Sequence, residues 1–103
     1  AGGDLRAADR AEPDNPVVLA NLGIVLSDGG RPSEGIAPLT RAVTIDPDFH
    51  EARFNLAVAY ARAGNRVAAT HQAEELLTRL PGDAPQRAEV ERLMRAVGGQ
   101  SPR

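Results

Sequence analysis

Four groups able to hold a cation crowd into Asp46, Asp48, His50 and Glu51. They surround Pro47, and their spacing suits the start of a helix better than a metal site. A carboxylate there satisfies free backbone N–H groups and faces the positive helix end, so Asp48 is expected to cap the helix that follows. The other histidine, His71, is distant in sequence. The paired acids Glu74/Glu75 and Glu89/Glu91 read as solvated faces rather than acid–base pairs. Ser27, Ser33 and Ser101 lack the G-x-S-x-G setting of a strained nucleophile. Asp28-Gly29-Gly30 lacks the lysine and the helix start of a phosphate-binding loop. There is no cysteine, which excludes a disulfide scaffold and a thiolate zinc site. These residues predict no catalytic centre, no metal and no cofactor.

The elements that carry these residues repeat. Asn21-Leu22 returns as Asn55-Leu56 and Gly30 as Gly64, each 34 residues on, and Pro13, Pro47 and Pro81 stand one such period apart. A fixed period of this size means stacked copies of one helical unit. At 103 residues the chain holds one domain with a modest core, made mostly of Ala, Leu and Val. A net charge of −2, with acids and bases interspersed, gives no footprint for nucleic acid. All twelve basic residues are arginine. With the abundant Ala, Gly and Pro, that bias predicts high-GC coding and a bacterial origin. No apolar run approaches the ~20 residues of a membrane span. The compartment stays open between cytoplasm and periplasm, because no signal segment is visible and the first residue is Ala1.

Helical spacing and breakers predict about six helices. The first covers residues 4–12 with Leu5, Ala8 and Ala11 on one face, stopped at Pro13. The second covers 16–28, capped by Asn15 with Pro16 at its first position. Its Val17, Val18, Leu19, Leu22, Ile24, Val25 and Leu26 leave almost no polar face, the pattern of a helix sandwiched between neighbours. Gly23 at its centre implies close approach of another helix. The third covers 32–45, with Ile36, Leu39, Val43 and Ile45 inward and Pro38 imposing a mild distortion or a late start. The central helix covers 49–63 and closes in a left-handed turn at Gly64-Asn65. The next covers 66–79 with Val67, Ala69, Ala73, Leu76, Leu77 and Leu80 apolar. The last runs from about 84 to 97, with Val90, Leu93, Met94 and Val97 as one stripe, and 98–103 is a tail.

This pattern resembles the tetratricopeptide repeat, whose 34-residue unit carries W-x2-L-G-x2-Y…A-x3-F…P. Leu19-x2-Leu22-Gly23-x2-Leu26, Gly35-x3-Leu39 and Pro47 match it once. Arg53-x2-Leu56-Ala57-x2-Tyr60, Ala69-x3-Ala73 and Pro81 match it again. Leu5, Ala8 and Pro13 fit the end of a preceding unit. The large aromatic positions hold Leu19, Arg53, Leu39 and Ala73, and Arg53 is expected to lay its stem over the helix pair. The resemblance implies an all-α fold of antiparallel helix pairs in a right-handed superhelix. It divides the single domain into a partial repeat (4–13), two full repeats (16–47 and 50–81) and a polar-faced capping helix (84–97).

The resemblance further implies a concave groove lined by the first helix of each pair. Its positions are Val17, Ala20, Asn21, Ile24 and Asp28, then Glu51, Phe54, Asn55, Val58 and Arg62. Ile24, Phe54 and Val58 make an apolar floor with charges at the rim. Asn21 and Asn55 each offer an amide that donates and accepts, suited to a peptide backbone. The chaperone-tail clamp of some members is not expected, since Ala20 and Ile24 occupy its polar positions. The implied function is a non-catalytic module that binds a protein or peptide. Two other readings stand beside it: a substrate-positioning segment of a larger glycosyltransferase, sulfotransferase or sulfatase, and a scaffold that self-assembles through the N-terminal helix or the groove.

Overall fold

A computed structural model describes residues 15–98. Five helices follow in order: α1 (Pro16–Asp28), α2 (Pro32–Ile45), α3 (His50–Arg62), α4 (Arg66–Arg79) and α5 (Gln86–Gly98), with no strand among the described residues. The helix expected at 4–12 lies outside the described residues.

Each boundary has a local cause. The Asn15 side chain accepts from the N–H of Val17 at 2.9 Å, and Pro16 holds the first position, where a missing donor costs nothing. The α1 and α3 ends share one device, repeated 34 residues apart. Gly30 and Gly64 adopt φ of +89° and +88°. Arg31 N–H reaches Leu26 O at 2.8 Å, and Asn65 N–H reaches Tyr60 O at 2.9 Å. This bond across the turn, with a glycine in the left-handed region, is the Schellman stop. Asn65 then caps α4 by accepting from Ala68 N–H at 3.1 Å. The helix α2 runs unbroken through Pro38 from Pro32, so the proline does not delay its start.

One helix start departs from expectation. Asp48 does not cap α3; the capping position is Phe49, with no side-chain bond. Asp46 accepts the Asp48 N–H at 3.2 Å instead, and the Asp48 carboxylate takes Arg79 Nη1 at 3.3 Å. The turn thus uses its acids to fold on itself and to tie down α4.

The helices stack in a line. α1 packs on α2, α2 on α3, α3 on α4 and α4 on α5, while α1 meets α3 and α3 meets α5. Leu39, Ala42 and Val43 of α2 close one core with Leu19 and Ala20 of α1 and Ala52, Leu56 and Ala59 of α3. Ala73, Leu76, Leu80 and Val90 close a second, against which Phe54 and Met94 pack. The expected close approach at Gly23 is present: a Cβ on Gly35 would stand 2.5 Å from the Gly23 carbonyl oxygen, and one on Gly23 would collide with the Leu39 side chain.

Two apolar expectations are corrected, at Ile45 and along α1. Ile45 is exposed, and Val67 lies on the side of α4 opposite Ala69, Ala73 and Leu76. More consequentially, α1 is not sandwiched among the described residues: Val18, Leu22 and Val25 are 46%, 51% and 66% exposed. Their counterparts one period later, Ala52, Leu56 and Ala59, are 0%, 1% and 0% exposed against α2. The bare face of α1 is therefore the one that α3 covers with the second helix of the unit before it.

Arg53, at a large aromatic position of the repeat pattern, is buried to 7% exposure. Nη1 donates to Gln72 Oε1 at 3.1 Å and Nη2 to the Pro47 carbonyl at 3.2 Å, while Nε finds no partner. Burial lowers its pKa, and Arg79 adds to the effect against Glu75 and Asp48. A buried cation that forms no ion pair contributes little net stability. Arg53→Met should therefore leave the urea midpoint unchanged or raise stability by about 1 kcal/mol. A loss larger than that would show that the bonds to Gln72 and Pro47 outweigh desolvation.

Candidate functional site

The face shared by α1, α3 and α5 is built from side chains at matching positions of successive units. The register between α1 and α3 is marked by Arg62, whose Nη1 donates to Asp28 Oδ1 at 2.9 Å and to the buried Ser27 Oγ at 3.0 Å. Asp28 and Arg62 stand 34 residues apart. Both are about half exposed, so the pair adds little energy; its effect is to satisfy these rim charges mutually.

Of the other expected groove residues, Val17 is exposed and Ile24 packs partly on the first core. Ala20 is a correction: at 1% exposure it belongs to the core and offers a ligand no surface. Asn21 is exposed and has no hydrogen bond among the described residues. Asn55 is half-buried, and its amide nitrogen donates back to the Glu51 carbonyl at 2.9 Å, which leaves the Oδ1 acceptor unspent. Phe54 and Val58 are half-buried. Glu51 is exposed in the first turn of α3.

A cleft of about 180 Å³ opens where α3, α4 and α5 converge. Leu76, Leu80, Val90 and Phe54 make its apolar walls, and His50, Glu51, Gln86 and Glu89 its polar ones. Only Glu51 and Phe54 of these appear among the sequence-derived groove residues. Of the remainder, His50 opens α3, Leu76 and Leu80 come from the C-terminal end of α4 and the residue after it, and Gln86, Glu89 and Val90 from α5; one signal would have reached the last two. Advancing Asn21 by the period gives Asn55, and advancing again gives Glu89; Leu22 leads likewise to Leu56 and Val90. So α5 occupies the place of a third groove-lining helix. Arg87 docks it, donating through Nη1 to the carbonyls of Leu77 at 2.8 Å and Leu80 at 3.3 Å.

No three metal-ligating side chains cluster among the described residues. The acids around Pro47 are spread between the turn, Arg79 and the cleft. Nor is any described helix long and apolar enough to cross a membrane. What the face offers is graded polarity over an apolar floor, with unspent amide and carboxylate groups in register.

Residues 28–97 match the family model of the tetratricopeptide repeat. A peroxisomal targeting signal receptor from Eremothecium gossypii is 37% identical over 75 residues. That stretch is 73% of this chain but only 13% of the receptor.

Proposed function

The chain belongs to the tetratricopeptide-repeat family, and from that premise we propose that it is a non-catalytic interaction module that holds a short peptide or amphipathic helix in its concave groove. Two full repeats, 16–47 and 50–81, would supply the groove, with α5 closing its end. The observation that carries this reading is the set of groups in register that are unspent among the described residues: Asn21 without a bond, Asn55 with a free Oδ1, and Ile24, Phe54 and Val58 between them. Asn21 and Asn55 would fix the ligand backbone while the apolar residues receive its side chains. Val17, Asp28, Glu51 and Arg62 would form the rim. The similar receptor, by its name, receives a targeting signal, which accords with recognition of a short segment. The substrate-positioning role in a larger enzyme uses the same groove and differs only in what is attached.

Panning a random dodecapeptide library on the chain tests the reading directly. Selected peptides should lose about tenfold in affinity for the Asn21→Ala/Asn55→Ala variant, equivalent to about 1.4 kcal/mol. An empty selection, or peptides indifferent to both amides, would remove the groove from consideration.

Self-assembly is favoured by one observation, the bare Val18, Leu22 and Val25 face. Light-scattering mass against concentration separates the cases. A dimer broken by Leu22→Asp is stacking through α1; one broken by Val58→Asp is filling the groove with its own copies. A monomer throughout leaves both faces free.

A further inference from the structure

We propose that the cleft between α3, α4 and α5 receives a long cationic side chain, arginine or lysine, from the bound peptide. The proposal rests on the groove reading and adds what the ligand must carry.

The cleft's walls and its mouth ask for different chemistry. Half-buried Phe54 offers the open apolar contact, while Leu76, Leu80 and Val90 back the cleft as a nearly fully buried floor with little surface of their own. Glu51 of α3 and Glu89 of α5 stand over them, and neither carboxylate has an ion pair or hydrogen bond among the described residues. His50 adds a ring nitrogen, Nδ1, that is buried and unpartnered in the same wall. An aliphatic stem ending in a cation satisfies both parts, because such side chains bury their methylenes and keep the charged head at the polar edge.

Other occupants fit worse. A wholly apolar side chain would press the two carboxylates toward a dry surface without a partner, which is costly. An acidic group would face two like charges. The first turns of α3 and α5 contribute roughly half a positive charge each, but Glu51 and Glu89 exceed that by about one unit, and Arg87, the cation nearby, is spent on the Leu77 and Leu80 carbonyls and does not line the cleft. His50, Glu51 and Glu89 do not come together as a metal-holding group among the described residues. The volume of about 180 Å³ suits one side chain, being well under the roughly 300–1,000 Å³ of small-molecule pockets.

A first-turn acid is favoured in any helix for its own sake, and both glutamates are so placed. That alone does not explain why they converge on one apolar cleft. Nor does it explain the sequence position of Glu89. It stands where the two preceding units present asparagine. The groove thus changes along its length from neutral amides, suited to a backbone, to a carboxylate, suited to a cation.

The test is a ¹⁵N-resolved NMR titration of the whole chain with three small probes: N-acetyl-arginine methylamide, its citrulline analogue and N-acetyl-leucine methylamide. Citrulline keeps the length and shape of arginine and removes the charge. The arginine probe should shift amides in residues 50–54, 76–80 and 86–90, and bind about fivefold more tightly than either neutral probe. Glu51→Gln/Glu89→Gln should level the three, with circular dichroism confirming that the helices persist. Absence of shifts in those segments, equal binding of citrulline, or an arginine preference that survives the double variant overturns the assignment. If the arginine probe fails while panned peptides still depend on Asn21 and Asn55, only the cleft assignment falls. If the probe docks while the peptides ignore both amides, the groove reading falls and the cation site stands alone.

Discussion

Adding one methyl group at Gly35 is expected to cost the fold about 2 kcal/mol, although Gly→Ala inside a helix ordinarily stabilises by roughly 1 kcal/mol. The reversal comes from packing. The new Cβ would stand 2.5 Å from the Gly23 carbonyl oxygen, and that obstacle is backbone, which cannot rotate away. α1 would have to lift from α2, loosening Leu19, Ala20 and Leu39 together. Overpacking of this kind typically costs about 1–3 kcal/mol. For a domain of this size a loss of 2 kcal/mol lowers the melting temperature by about 8–16 °C. A control at Gly82, where a Cβ would meet nothing within 4 Å, should change it far less. If Gly35→Ala melts at the parental temperature, the two helices do not cross this closely.

The second large effect is expected at Leu56. It is 1% exposed and sits in the core that joins the two repeats, against Leu39, Ala42 and Val43 of the preceding helix. Leu→Ala at such a site removes buried methyl groups and leaves a cavity, a loss of about 2–5 kcal/mol. Stabilities near 0.05–0.15 kcal/mol per residue make that a large part of the total. Urea unfolding followed by circular dichroism should show a midpoint shifted strongly downward. The comparison that isolates the cause is Leu22→Ala, the same residue one period earlier but 51% exposed, which should be nearly neutral in a monomer. Equal losses at Leu56 and Leu22 would mean that the α1 face is covered in solution, and light-scattering mass against concentration would then decide whether a second copy covers it.

The pair Leu22 and Leu56 also shows how far the sequence could be read. Period and breakers located every described helix to within two residues, because Gly30, Gly64, Pro47 and Pro81 act locally. Identity of residue type at matched positions could not separate an exposed leucine from a buried one, since burial depends on whether a preceding helix lies against it. Ile45 is exposed for a related reason: it shares the apolar character of Leu39 and Val43 but holds a different angle around α2, and burial follows the angle. The cleft was half legible. Glu51 and Phe54 lie on a helix that carries the repeat pattern strongly, whereas Glu89 and Val90 belong to a helix whose polar face conceals the same phase. Arg53 followed the repeat pattern in place but not in chemistry, and its burial was apparent only once Gln72 and the Pro47 carbonyl were seen to receive it.

The succession Asn21, Asn55, Glu89 carries a metric as well as a chemistry. Packed helices stand roughly 8–10 Å apart, and an extended chain advances about 3.3 Å per residue. A segment lying along the groove therefore passes from one rung to the next in about three residues. On the proposed groove reading the fold would act as a ruler: it would fix a reading frame in the ligand, so that the residue met by Glu89 would stand about three positions beyond the peptide group met by Asn55, whatever sequence lies between.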